Sequence, residues 1–137
     1  MLRKGRSDGG TDMKLKEYFT LTKGRGVLAT SDSDGNVDAA VYARPHVLDD
    51  KTIAFIMTDK LTHHNLQSNP RAAYLFMEDG DSYVGKRFFL TKMKDEKNAK
   101  EIDELRRRSY EEMKGKDEFL VYFRVDKMLP LIGAGEG

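Results

Sequence analysis

The chain has 137 residues, 39% hydrophobic and 34% charged, with a net charge of +1 and no cysteine. That length is one domain's worth and can bury a core without covalent staples. The near-neutral balance argues against a nucleic-acid or acidic-membrane surface. The missing thiols exclude disulfides, zinc–thiolate sites, iron–sulfur clusters and cysteine nucleophiles.

No apolar run approaches the ~20 residues of a membrane span. The first residues are charged and glycine-rich with no apolar stretch behind them, unlike a secretory signal. The expectation is a cytoplasmic protein with a flexible leader over 1–11, one domain over 12–132 and a flexible tail over 133–137.

A helix is expected from a cap at Asp12 to about Thr22, with Leu15, Tyr18 and Phe19 on one face. Gly24 and Gly26 then break it. Val27–Ser31 reads as a strand, Asp32–Gly35 as a turn, and Val37–Arg44 as the return strand. Pro45 marks an edge, a bulge or a strand end. His46–Leu48 leads through a polar turn to Ile53–Met57, apolar throughout as if covered on both faces. A short helix from about His63 to Ser68 stops at Asn69-Pro70, because the residue before proline disfavours helical angles. Arg71–Met77 and Lys86–Lys92 are strands, the second with Phe88 and Leu90 on one face and Arg87 and Phe89 on the other. The longest helix is expected over 96–113, with Asp103–Arg107 and Glu104–Arg108 as i,i+4 ion pairs and Arg106–Arg108 on a solvated face. Phe119–Val125 closes the chain as a strand. About six antiparallel strands joined by short turns hide their edges in a barrel or a sandwich.

Several motifs fail on context. Gly24-x-Gly26-x-x-Ala29 follows a helix and opens a strand, the reverse of a dinucleotide fingerprint. Asp32–Asp38 has its glycine too early for a calcium loop and no closing glutamate. His46, His63 and His64 are the only histidines. Adjacent helical residues point about 100° apart, so His63 and His64 do not share one metal easily. No metal site is expected. No serine elbow or glycosidase carboxylate pair is present, so any chemistry would belong to a bound cofactor.

One segment stands out. Ile53–Met57 runs directly into a helix that opens with Thr62, His63 and His64, and the free amides of a helix's first turn form an anion site. Arg44, on the preceding strand, can close such a cage or make a surface salt bridge. Thr62 can instead simply cap the helix, with both histidines on the surface.

The ordered set Gly26-Val-Leu-Ala-Thr-Ser31, Asp34-Gly35, the Arg44 strand, Ile53–Thr58 and Thr62-His-His-Asn-Leu66-x-x-Asn69-Pro70-Arg-Ala-Ala-Tyr-Leu-Phe76 resembles the FMN-binding split β-barrel family, the pyridoxamine 5′-phosphate oxidase-like proteins. The resemblance covers roughly residues 13–125. It implies a mostly β (α+β) fold, an antiparallel split barrel of six or seven strands with peripheral helices. It also implies FMN at the interface of a homodimer. Tyr42, Ala43, Arg44, Pro45, His46 and Val47 then face the ring and ribityl chain, and Met57 and Thr58 are the next contacts. Thr62, His63 and His64 hold the phosphate, and Lys86 or Arg87 reaches the flavin from the barrel side. The family often carries arginine or lysine where this chain has His63 and His64. A nearby phosphate would hold a histidine protonated, so FMN affinity is expected to weaken as pH rises. The segment with which classical oxidases of the family bind substrate is missing after Leu131, which argues against pyridoxamine phosphate as substrate.

The function this implies is an FMN-dependent oxidoreductase acting on a small substrate, with a nicotinamide or protein electron donor. No catalytic residue is assigned; His46, near the presumed ring edge, is either a general base or a structural residue. Alternatives are a non-enzymatic electron carrier or flavin store and, more weakly, a haem-binding split barrel with a histidine axial ligand.

Overall fold

A computed structural model describes residues 14–105 and 117–133. The expected leader, the Asp12 cap, Arg106–Arg108 with their ion pairs, and the tail beyond Gly133 lie outside them. The elements run α1 (Leu15–Leu21), β1 (Gly24–Ser31), β2 (Val37–Tyr42), β3 (His46–Asp49), β4 (Thr52–Thr58), α2 (Leu61–Ser68), β5 (Arg71–Glu78), β6 (Gly85–Lys97), α3 (Glu101–Leu105) and β7 (Glu118–Pro130).

All seven strands form one antiparallel sheet in the order β2-β1-β5-β6-β7-β4-β3. The two edge strands are consecutive in the chain, joined only by Ala43, Arg44 and Pro45. Laid flat at the usual strand spacing, the sheet would hold its edges about 29 Å apart. The chain from Tyr42 to His46 reaches at most about 14 Å. The sheet must therefore roll up until its two ends meet.

The rolled sheet buries one side-chain row per strand. Leu28, Phe55, Tyr74, Phe76, Phe88 and Phe123 fill the interior, and Leu15, Tyr18 and Phe19 of α1 plug one end. Phe19 meets Phe76 edge-on with ring centroids 5.2 Å apart. Strand β4 has Ile53, Phe55 and Met57 in this core and Ala54 in a second cluster with Leu120 and Ile102 of α3. That is why its sequence shows no alternation.

The turn after β1 forms as expected. Asp32 accepts the backbone N–H groups of Asp34 and Asn36, both at 2.9 Å, and Gly35 takes a φ of 88°. Pro45 stands at a strand end. Several boundaries differ from the sequence reading, among them the start of α2 at Leu61 and the end of β7 at Pro130. Gly24 and Gly26 lie inside β1, after α1 has already ended at Leu21. The return strand stops at Tyr42, short of Arg44. The long helix does not begin at 96, because Asp95, Glu96 and Lys97 extend β6 opposite Val121, Leu120 and Phe119. Pairing to β7 overrides the helical propensity of that charged stretch.

Candidate functional site

Where the ends of the sheet meet, a cavity of about 510 Å³ opens. Asp38, Ala40, Val41 and Tyr42 of β2 line it, with Ala43 and Arg44 of the crossover and His46 at the start of β3. The far wall is Phe55–Thr58 of β4, Lys60–Thr62 at the start of α2, and Glu118 of β7. Its size falls in the roughly 300–1,000 Å³ range of small-ligand sites.

Helix α2 begins in this wall. Lys60 occupies the N-cap position and makes no side-chain cap bond. The first intrahelical bond runs from the His64 N–H to the Lys60 carbonyl at 2.9 Å. The amides of Leu61, Thr62 and His63 therefore precede the ladder and suit an outside acceptor. Thr62 is the second helical residue and not the cap. Its buried hydroxyl donates to Asp38 Oδ2 at 3.3 Å. Burial pushes the Tyr42 hydroxyl up from its ordinary range; a hydrogen bond with Thr62 opposes this and the Asp38 charge adds to it. Tyr42 therefore stays a protonated donor at neutral pH. The cavity wall carries two cations, Arg44 and Lys60, and two carboxylates, Asp38 and Glu118.

Of the residues singled out from the sequence, the fold brings Tyr42, Ala43, Arg44, His46, Met57, Thr58 and Thr62 together around the cavity. Pro45 is buried and Val47 packs against the core instead. His63 turns the other way and stacks on Phe119 of β7. His64 is exposed. Lys86 places its ammonium 5.2 Å above the Tyr18 ring. Arg87, on the opposite face of β6, donates to the carbonyls of Pro130 and Gly133. Lys60 and Asp38 were not singled out. A helix start two residues earlier than read would have pointed to Lys60.

Arg44 also has structural work. Its Nη1 donates to the carbonyls of Phe19 at 2.8 Å and Thr22 at 3.3 Å, which tie the C-terminal end of α1 to the β2–β3 crossover. Tyr74 secures the same crossover from inside, its hydroxyl 3.0 Å from the carbonyls of Tyr42 and Ala43. Arg44→Ala is expected to lower unfolding free energy by about 1–2 kcal/mol, because charged donors to helix-end carbonyls are lost. Denaturant melts check this, and a midpoint equal to that of the native chain would deny the tether.

Solved structures share this architecture. An FMN-binding protein from Syntrophomonas wolfei subsp. wolfei superimposes with a TM-score of 0.71 and 21% identity, covering 88% of this chain and 85% of that one. The heme storage protein HutZ from Vibrio cholerae gives 0.64 and 19% identity over 90% and 100% of the two chains. A putative pyridoxamine 5′-phosphate oxidase from Lactobacillus delbrueckii gives 0.60 and 17% identity over 85% and 89%. No family model and no curated protein matches the sequence. The chain has the split β-barrel fold that FMN-binding and pyridoxamine 5′-phosphate oxidase-like proteins adopt. Among the described residues no helix is long and apolar enough to cross a membrane, and no three His, Asp or Glu side chains are grouped to hold a metal.

Proposed function

We propose that this chain binds FMN in the cavity as a homodimer and serves as a flavin-dependent oxidoreductase for a small substrate. The observation that carries the reading is the uncapped start of α2, opening into a ligand-sized cavity beside Lys60 and Thr62. The first-turn amides and the Lys60 ammonium would hold the phosphate. Tyr42, Ala43, Arg44 and His46 would flank the rest of the molecule, with Met57 and Thr58 opposite. Bound FMN would supply electron acceptance at its ring. The chain's part is to orient it and exclude water.

A second copy is supported by the outer face of the sheet. Val41, Val27 and Leu75 are register partners across β2, β1 and β5, and Ala39, Ala29 and Ala73 form the next row. Val37 is 80% exposed and Val41 81%. Such a continuous apolar face fits a partner of the same kind. Val41 also lines the cavity, so a copy docked there would cover its open side.

Flavin fluorescence titration with FMN, and with riboflavin as the phosphate-free control, tests the site. FMN is expected to bind about tenfold or more tightly than riboflavin, given charge-assisted bonds to the phosphate. Equal affinities would remove the phosphate from α2. Asp38 is the opposing charge beside Thr62. Asp38→Asn is expected to tighten FMN roughly three- to tenfold and leave riboflavin unchanged. Reduction by NADH or NADPH at steady state then separates an oxidoreductase from a carrier, which needs a protein donor.

A further inference from the structure

His63 follows Thr62 in the first turn of α2, yet it is 6% exposed and lies outside the cavity wall. Its ring stacks on Phe119 with centroids 3.8 Å apart and planes 21° from parallel. Nδ1 lies 3.2 Å from Asp59 Oδ1, in the turn before α2, and Nε2 lies 2.9 Å from Asp95 Oδ2 on β6. Gln67, one turn along α2, donates to the same Asp95 oxygen at 3.1 Å and to the His63 carbonyl at 3.0 Å. Lys92 Nζ is 3.8 Å from that oxygen. Asp95 is thus the point at which β6 grips two turns of α2.

An ionised carboxylate only accepts hydrogen bonds. An imidazole between two of them completes both bonds only when both nitrogens carry protons. A neutral ring donates to only one of them; unprotonated at Nε2, it turns a lone pair toward Asp95 and can accept there only from Gln67 Nε2, 3.2 Å away. The charged groups around the ring are Asp59 from the turn and Asp95 and Lys92 from β6. Strand β7 presents the Phe119 face, and Glu118 beside it lines the cavity.

We propose that Asp59, His63 and Asp95 form a proton-sensitive clamp on the start of α2. Through it the hold of Lys60 and the first-turn amides on a nucleotide phosphate follows the protonation of His63. The ligand in this statement rests on the FMN reading; the clamp itself does not. His63 is a positioning residue, acting through the helix it fastens.

Two measurements on the full chain test it, each on the native protein and on Asp95→Asn. In the cofactor-free protein, ring NMR finds the pH at which His63 loses its proton, and amide exchange of residues 61–66 is followed across that pH. Exchange, corrected for its intrinsic pH dependence, is expected to rise about tenfold with that midpoint in the native chain and not in Asp95→Asn. The ratio of native to Asp95→Asn affinity for FMN is expected to fall about five- to tenfold across the same midpoint, with no such change in the ratio for riboflavin. The phosphate's own titration is common to both proteins and cancels. His63→Gln, which does not titrate, serves as the reference where Asp95→Asn fails to fold. Exchange indifferent to His63, or equally sensitive in the variants, overturns the clamp. Exchange that follows His63 in a chain binding no FMN at any pH supports the clamp and overturns the flavin reading instead.

Discussion

Gly26→Val is expected to remove a large part of the protein's folding stability. A Cβ at position 26 would stand 2.0 Å from the Tyr74 hydroxyl and 2.2 Å from its ring carbon Cζ. Tyr74 has no room to yield, because it is fully buried and its hydroxyl is bonded to the carbonyls of Tyr42 and Ala43. Overpacking and the loss of the hydrogen bond this hydroxyl shares between the two carbonyls together cost about 3–5 kcal/mol, a large part of a typical domain's stability. Gly35→Ala makes the contrast. Nothing lies within 4 Å of a Cβ there, but φ is +88°. About 1 kcal/mol of backbone strain is expected. Circular dichroism with urea titration ranks the two, and equal stabilities would refute the close approach at Gly26.

Val41→Asp is expected to leave the single barrel folded while abolishing its self-association. The side chain is 81% exposed in one copy, so a charge there costs the isolated chain little. On the proposed dimer it would be buried against an apolar face without a partner. That weakens association by about 2–4 kcal/mol, roughly thirty- to a thousandfold. FMN affinity falls with it, since Val41 also lines the cavity. Sedimentation velocity with and without FMN reads both effects. A native chain that stays monomeric at high concentration, or a Val41→Asp chain that still dimerises, contradicts the proposed interface.

Strand and turn positions were legible wherever local chemistry decides them. The positive φ of Gly35, the end of α2 before Pro70 and the alternation of Phe88 and Leu90 with Arg87 and Phe89 all follow from residue type and period. Ile53–Met57 was readable as two-faced because each face meets its own apolar cluster. The length of β6 was not. Lys92–Lys97 carries no apolar pattern, and only pairing with β7 on the far side of the chain holds it extended.

The site divides in the same way. The crossover Tyr42–His46 and the turn after Met57 were legible because proline and the helix start punctuate them. Helical geometry then separates neighbours that lie together in the sequence. Thr62 faces the cavity and His63 faces β6, while His64 is exposed. His63 therefore turns its ring to Asp95 and not into the cavity. Arg44 lines the cavity, but its bonds to the end of α1 depend on where that helix packs.

The proposed site holds a flavin mononucleotide where the rolled sheet closes on the first turn of α2. The most direct measurement is the visible spectrum of the chain after saturation with FMN and removal of the excess. Retained flavin absorbance, stoichiometric with the chain, is expected. A colourless protein, or one that instead purifies with the Soret band of haem, would contradict it.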